Sequence, residues 1–394
     1  MCVISGRMGQ GREAWKWVKQ LPFELAAFPH KFFAVLRLPV VSYALPALIA
    51  IGQARHARRP SRNPLARIFR NAVRDKTLEK LKSIQPESGG FLEAAPLTSF
   101  VAMSLAAAGQ VGHPVTAKCV EFLAENVRED GSWPIDTNLA TWVTTLAINA
   151  LGNDPEFKFE EKEFGPVRDW ILDQQYKDVH PYTNAAPGGW AWTNLTGGVP
   201  DADDTAGALL ALLKLDEENE CVREAVRKGV EWLIGLQNGN GGIPTFCRGW
   251  TKLPFDRSSP DITAHVIRAI ERSYRVWWDG GIEGARQDSW MKRVIGMAGY
   301  LSRAQKADGS WIPLWFGNQH HPNEENPIYG TGKGVLALTC PSLVMFAMMK
   351  QFETILSAPP KAVGFLKSRQ ASDGGSRCAD GAPCSVEESA LSLE

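Results

Sequence analysis

The 394-residue sequence has no net charge, since 43 Lys and Arg are balanced by 43 Asp and Glu. That balance leaves no overall field to gather nucleic acid, so nucleic acid is not expected among the partners. Long apolar runs are missing too. The best of them, Leu38 to Ile51, has 14 residues and is broken by Pro39 and Pro46, whereas a helix that crosses a bilayer needs about 20. No signal-peptide pattern is apparent at the N-terminus. The seven cysteines, at 2, 119, 221, 247, 340, 378 and 384, lack metal-ligand spacing and read as free thiols of a reducing compartment. No Gly-rich phosphate loop stands out, and Asp203-Asp204-Thr205-Ala206 does not continue into a DDxxD magnesium site. His320-His321 with Glu324 and Glu325 lies in a polar, Pro-bearing stretch and reads as solvated. No metal and no cofactor are expected. Strand signals are sparse as well.

What the chain does have is tryptophan, 14 in all and many beside glycine, and an apolar fraction of 44% that can fill a large core. The tryptophans belong to a repeat. Lys228-Gly229-Val230-Glu231-Trp232-Leu233 leads to Gln237 and Gly241-Gly242. Met297-Ala298-Gly299-Tyr300-Leu301 leads to Gln305 and Asp308-Gly309-Ser310-Trp311, and Val363-Gly364-Phe365-Leu366 to Gln370 and Asp373-Gly374-Gly375. Fainter copies run from Leu81 through Gln85 to Gly89-Gly90-Phe91, and from Glu121-Phe122-Leu123 to Asp130-Gly131-Ser132-Trp133. A stretched copy runs from Asp169-Trp170-Ile171-Leu172 through Gln174 to Gly188-Gly189-Trp190. Each reads as an amphipathic helix with an aromatic-Leu pair, a Gly-rich turn, and an apolar helix: Thr141 to Leu151, Thr205 to Leu215, Thr263 to Ile270, Gly332 to Leu338. This unit, repeated about six times at intervals of roughly 40 to 70 residues, predicts stacked helix pairs. Closed α/α-barrels tolerate such uneven insertions at one rim, so an all-α fold is expected. Gln237, Gln305, Trp133 and Trp311 read as structural, each Gln amide capping a buried indole N–H that needs a partner.

From Arg55 to Arg74 the chain carries seven arginines (55, 58, 59, 62, 67, 70 and 74) and no acid. After an apolar segment such a stretch suits an anionic membrane face. A solvated basic linker between domains accounts for it at least as well.

Pro200-Asp201-Ala202-Asp203-Asp204-Thr205-Ala206 places three carboxylates within four positions, just ahead of the apolar run Gly207 to Leu213. Like charges so close cannot all ionise comfortably, so at least one carboxyl is expected to stay protonated near neutral pH. A positioned, protonated carboxylic acid can protonate something as weakly basic as an alkene. The same residues are also good helix caps that complement the helix dipole, and taken alone they read that way.

Further segments turn the reading to chemistry. With the repeat between them, Asp201-Ala202-Asp203-Asp204, Ser259-Pro260-Asp261-Ile262-Thr263-Ala264-His265 and Ile328-Tyr329-Gly330-Thr331-Gly332 occur in that order. Together they resemble class II terpene cyclases, most closely the squalene-hopene cyclase family. They are similar to its DxDD acid motif, the S-x-D-V-T-A-H segment that supports the acid and the adjacent L-Y-G-T-G segment; the repeat resembles its QW motif. Leu21-Pro22-Phe23-Glu24 resembles the P-P-E segment that links the family's two barrels. The resemblance implies an α/α-barrel (α6-α6 toroid) of QW-type helix pairs over residues 76–394. Residues 1–75 are then an apolar and basic segment, a remnant of or linker to a mostly missing second barrel, and at least one terminal repeat is expected to be missing after Glu394.

By the same resemblance Asp203 is the proton donor. Asp201 and Asp204 flank it and set the local charge, with either left as a cap. His265, as imidazolium, hydrogen-bonds Asp203 and stabilises the carboxylate left after transfer. Asp261, four residues before His265 and so on one helix face with it, holds that imidazole charged. Tyr329 completes a hydrogen-bond path that reprotonates the acid. Without the motifs, His265 would read as a satisfied core or surface histidine and Tyr329 as packing. Trp142, Trp192, Phe246 and Trp315 are implied substrate-binding aromatics, along with Tyr329, because aromatic faces attract carbocations and exclude water. Core filling is the alternative for each. Val143 replaces an Asp beside Trp142, Phe246 stands where Tyr is usual, and the repeat's Trp becomes Ile243 in one copy and Ser376 in another.

The implied activity is acid-initiated cyclisation of squalene or a related linear polyprene to a polycyclic, hopene-like triterpene. A class II cyclase of another terpenoid and a truncated, non-catalytic lipid-binding α/α-barrel are the alternatives. The implied partners are the apolar polyprene, a membrane surface on which the protein sits monotopically, and a second copy in a homodimer. The implied location is cytoplasmic, on the inner face of the cell membrane, with the segment around Leu38 to Ile51 as one contributor to the contact.

Overall fold

The computed structural model describes residues 1–29, 43–181, 183–246, 254–278 and 284–393. Cys247 and residues 38–42 of the apolar run lie outside the described residues. Among the described residues the regular structure is helical, and extended pairing is limited to isolated bridges. The chain is therefore all-α, as its sparse strand signals predicted. By packing it forms two compact units: residues 1–140, 179–185 and 192–199, and residues 141–178, 186–191 and 200–394. Residue 75, the boundary read from sequence, lies within a helix of the first unit.

The first unit holds α1 (Leu45–Arg58), α2 (Pro64–Ser83), α3 (Ala95–Ala107) and α4 (Pro114–Glu125). Asn63 caps α2 by accepting from the Leu65 and Ala66 N–H groups, and His113 caps α4 by accepting from Val115. Each cap precedes a proline, whose missing N–H costs nothing in a first turn. Helix α1 packs on α3 and α2, and α3 packs on α4. Leu45, Ile49, Ala50 and Ala54 are buried in α1, so the described part of the apolar run serves the core.

The second unit holds α5 (Ala140–Leu151), α6 (Glu161–Asp173), α7 (Ala202–Asp216), α8 (Glu220–Leu236), α9 (Pro260–Trp278), α10 (Gly284–Ala304), α11 (Pro327–Leu338), α12 (Pro341–Met349), α13 (Ala358–Ser368) and α14 (Val386–Leu393). Helices α7, α9, α11 and α14 lie side by side in chain order, and α6 and α8 pack on α7, α10 on α9 and α13 on α11. This alternation of inner and outer helices is the α/α-barrel arrangement. The inner helices bury Ala and Leu on nearly every face; Ala206, Ala208, Leu209, Ala211 and Leu212 of α7 are wholly buried. The outer helices are amphipathic: α8 buries Val226, Val230 and Leu233 and keeps Arg227 near the surface between Glu224 and Glu231.

The repeat joins its helices through backbone groups. Gln175 Nε2 donates to the Gly188 and Ala225 carbonyls, both at 2.9 Å. Gln237 and Gln305 do the same to Gly241 and Arg293, and to Gly309 and Ala358. Each Gln thus ties its own turn to the next outer helix. The turn glycine comes so close to that helix that an added Cβ would lie 2.4 Å from the Gly296 carbonyl at Gly241 and 2.4 Å from the Lys361 carbonyl at Gly309, both at positive φ. The expected Gln cap on the Trp indole is not formed. Trp190, Trp311 and Trp133 donate instead to the carbonyls of Ile171, Leu301 and Leu123, at 2.8, 2.8 and 2.7 Å. All three carbonyls sit in the last turn of a helix, where a carbonyl oxygen has a second lone pair to offer an indole. In the stretched copy Gln175 holds the linking position; Gln174 folds back on Trp170 of its own helix.

Candidate active site

Helices α7, α9 and α11 start earlier than the apolar pattern predicts, at Ala202, Pro260 and Pro327 instead of Thr205, Thr263 and Gly332. The sequence pattern registers only where burial becomes continuous, whereas caps set the true starts. Asp203, Asp261 and Tyr329 therefore lie in first turns. A repeated bond fixes these turns to the preceding loops. The Trp190 N–H donates to Thr205 Oγ1 at 2.9 Å, Ile243 to Thr263 at 2.9 Å and Trp311 to Thr331 at 3.1 Å. Ile243 makes this bond as well as either tryptophan does, so losing the indole there leaves the joint intact.

Asp201 is the N-cap of α7. Its Oδ1 accepts from the Asp203 and Asp204 N–H groups, both at 2.9 Å. Its Oδ2 is buried and makes no hydrogen bond. Asp203 points elsewhere: its Oδ1 pairs with His265 Nδ1 of α9 at 2.7 Å, with 21% of the Asp203 and 13% of the His265 side chain exposed. Asp261 is buried, accepts from the Ser259 hydroxyl and leaves Oδ2 without a hydrogen bond. His265 pairs with Asp203, the hydrogen bond read from the sequence, whereas Asp261, expected to hold the imidazole as well, accepts from Ser259. One helical turn separates Asp261 and His265 along α9, and the gap between α7 and α9 brings Asp203 to the imidazole first. Gly207 lets α7 lie close to α5: a Cβ there would come 3.3 Å from Thr145 Oγ1.

The environment sorts the carboxyls by strength. Burial pushes Asp201 up to about 7, against the hydrogen bonds from Asp204 and with help from the Asp203 charge. Burial likewise lifts Asp261 to about 6, opposed by the Ser259 hydroxyl. Burial acts upward on Asp203 too, but the His265 hydrogen bond and charge, with Lys333, hold it below the usual carboxylate range. Burial lowers His265, and Lys333 and Arg268 add to that; its bond to Asp203 works the other way. Tyr329 keeps its proton well beyond the usual phenol range, through burial first and then the charges of Asp203, Asp261 and Glu387.

An aromatic cluster stands at the edge of this group. Phe255 stacks on Trp315 with ring centres 4.3 Å apart, and Phe246 lies 5.2 Å from Phe255. The chain anchors the cluster to the acids. The Thr245 carbonyl, next to Phe246, accepts from the Ala202 N–H at 2.8 Å. The Leu314 N–H, next to Trp315, donates to Ser259 Oγ at 3.2 Å, and the Trp315 indole donates to Thr245 Oγ1 at 2.9 Å. Phe316 packs on Tyr329 with ring centres 5.1 Å apart.

Of the residues singled out in the sequence, Asp201, Asp203, Asp204, Asp261, His265, Tyr329, Phe246 and Trp315 thus share the α7–α9–α11 first turns and their loops. Trp142 is half-buried in the first turn of α5, three residues before Thr145. Trp192 is buried in the first unit. Sequence reasoning missed Lys333, whose Nζ lies 5.6 Å from the centre of the Tyr329 ring. It also missed Phe255 and the role of Ser259. Lys333 was detectable, since it lies four residues after Tyr329 and so on the same helix face.

Residues 138–383 match the family described as squalene-hopene cyclase C-terminal domain. The chain is 30% identical over 291 residues to a squalene–hopene cyclase of Alicyclobacillus acidocaldarius, a match covering 68% of this chain and 43% of that protein. It is 29% identical over 281 residues to the squalene hopane cyclase afumA of Aspergillus fumigatus, covering 59% of this chain and 35% of that one. To a squalene–hopene cyclase of Zymomonas mobilis it is 28% identical over 250 residues, covering 59% and 34%. The chain spans less than half the length of these relatives.

Proposed function

The chain belongs to the squalene-hopene cyclase family of class II terpene cyclases, and on that footing we propose that it cyclises squalene or a related linear polyprene by protonating a terminal alkene. The 2.7 Å pair of Asp203 and His265, set between two buried carboxyls, is the observation that carries this reading. An acid that attacks an alkene must lose its proton readily. His265 and Lys333 provide for that by stabilising the carboxylate left behind. The acid must also hold a proton when substrate arrives. Asp201 and Asp261, lifted toward neutrality, are the local store. An apolar chain seated over Asp203 displaces its remaining water, which raises its pKa and draws a proton onto it. After transfer to the alkene, the C–H bond is formed, the electron pair of the O–H bond stays on Asp203, and a tertiary cation remains for the aromatic faces to stabilise. Phe246, Phe255 and Trp315 supply such faces beside the acid. Lys333 projects over the Tyr329 ring, which shields the cation from its charge.

The substrate's apolarity makes a membrane surface the natural place of work, and we place the protein on the cytoplasmic face as a monotopic protein that associates as a homodimer. Among the described residues no single helix is long and apolar enough to cross a membrane. Met345, Met348 and Met349 of α12 are exposed apolar side chains available to lipid. The deciding experiment is incubation of detergent-solubilised protein with squalene, Asp203→Asn in parallel, and mass spectrometry of the products. A cyclic triterpene from the unaltered chain and none from Asp203→Asn is the expected result. The absence of any product from folded, unaltered protein would overturn the squalene reading.

A further inference from the structure

In the first unit, α1, α2 and the N-terminal segment surround an open cavity of about 480 Å³. Its wall carries Arg12, Arg55, Arg59, Arg62 and Arg70, against Glu13 as the carboxylate of the lining. These arginines are not equivalent. Arg70 is neutralised by Glu24 at 2.8 Å, with both side chains largely buried. Arg55 is fixed without being neutralised: its guanidinium donates to the carbonyls of Val18, at 2.8 Å, and of Arg59. Burial, then repulsion from Arg59, Arg70 and Arg12, lowers its pKa. Among the described residues Arg12, Arg59 and Arg62 form no ion pair. A solvated linker would let such charges spread apart; here the α1–α2 corner gathers them around one hollow. Like charges held together in this way are stabilised by an anion shared among them.

We propose that this cavity binds a phosphate group. The planar donor forks of guanidinium groups match phosphate oxygens in pairs, and two or three of them on different chain segments can surround a phosphate or diphosphate. Exposed apolar side chains on α2, outside the cavity lining, favour a phosphate carried on an apolar body. Leu65, Ile68 and Phe69, on the turns of α2 that follow Arg62 and lead into Arg70, are 76%, 63% and 42% exposed. The phosphate comes from a lipid headgroup or from a free phosphate compound, and the chemistry of recognition is the same for both. The site does not depend on the acid of the second unit.

The test uses the full chain and two probes: inorganic diphosphate, followed by calorimetry at low salt, and phosphatidylcholine vesicles with and without phosphatidic acid, followed by co-sedimentation. The variants are Arg59→Gln combined with Arg62→Gln, and Arg12→Gln alone should the double variant not fold. Arg67→Gln, on α2 but outside the cavity, is the control. Binding to either probe is expected, weakened about fivefold for each neutralised arginine and unchanged in Arg67→Gln. Binding only to vesicles that contain phosphatidic acid assigns the headgroup; binding of soluble diphosphate assigns the free compound. No binding of either probe, or equal loss in Arg67→Gln and the cavity variants, overturns the proposal.

Discussion

In the proposed reaction two demands conflict at Asp203, because the group must hold a proton when the alkene arrives and release it to a very weak base. The structure divides them among neighbours: Asp201 and Asp261 are raised, and Asp203 is lowered through His265 and Lys333. The proton store empties as pH rises through the Asp261 and Asp201 values of about 6 and about 7, so turnover is expected to fall above neutrality. A kcat–pH profile that stayed flat from pH 6 to 9 would contradict this. Replacing Lys333 by Met removes a charge that lowers both Asp203 and His265; the maximal rate is expected to drop while the alkaline limb, set by Asp261 and Asp201, stays in place, which the same profile reads out. Asp201 also bears on stability. Its folded value of about 7 lies above the unfolded carboxylate value of 3.8, so the folded state loses stability as pH rises between the two. Asp201→Asn keeps a cap acceptor and removes the buried charge. It is expected to raise Tm by a few degrees at pH 8, and by less at pH 5, while abolishing cyclisation. Asp203 could be singled out in the sequence because the segments around Asp261 and Tyr329 accompany it in the order that resembles the family; the three carboxylates alone read as caps. The i,i+4 spacing puts Lys333 on the helix face of Tyr329, but only the neighbouring helices show that its charge reaches Asp203 and His265.

The joints between helices are set by amides and carbonyls, and here the sequence pattern and the structure part at identifiable residues. The spacing of Gln and Gly marked the repeat correctly, but the amides do not reach the indoles: carbonyls in the last helical turns take the indole N–H groups, and the amides bridge the turn and the next outer helix. Gln175 and the adjacent Gln174 look interchangeable in sequence. Only Gln175 bridges Gly188 and Ala225 while buried. Gln175→Ala is expected to lower unfolding free energy by about 2–4 kcal/mol, since two buried carbonyls lose their donor. Gln174→Ala should stay within about 0.5 kcal/mol. Urea titrations of the two variants decide it. Equal effects would mean that the turn does not depend on that bridge. Helix starts were misplaced by three to five residues for a related reason: capping by Asp201 and Asn326 starts α7 at Ala202, ahead of two acids, and α11 at Pro327, ahead of the Gly-rich stretch, before the Ala- and Leu-rich pattern begins.

Across the whole chain, a charge balance of 43 against 43 and a pI of about 7.0 predict a solubility minimum near neutral pH, where self-repulsion vanishes; precipitation by polyethylene glycol as a function of pH measures it. The order of residues already determined the all-α class, the helix–turn–helix repeat and the neighbourhood of the acid, since periodicity, glycine placement and motif order are local or count over the whole chain. It could not determine which partner each polar group would take. That Asp261 takes Ser259 as its partner, that arginines of the N-terminal segment, α1, α2 and the corner between them line one cavity, and that the chain's packing divides near Ala140 are outcomes of distances set by packing. Hydrogen bonds and charge effects fall off over a few ångströms, so these choices are made only once the helices have packed.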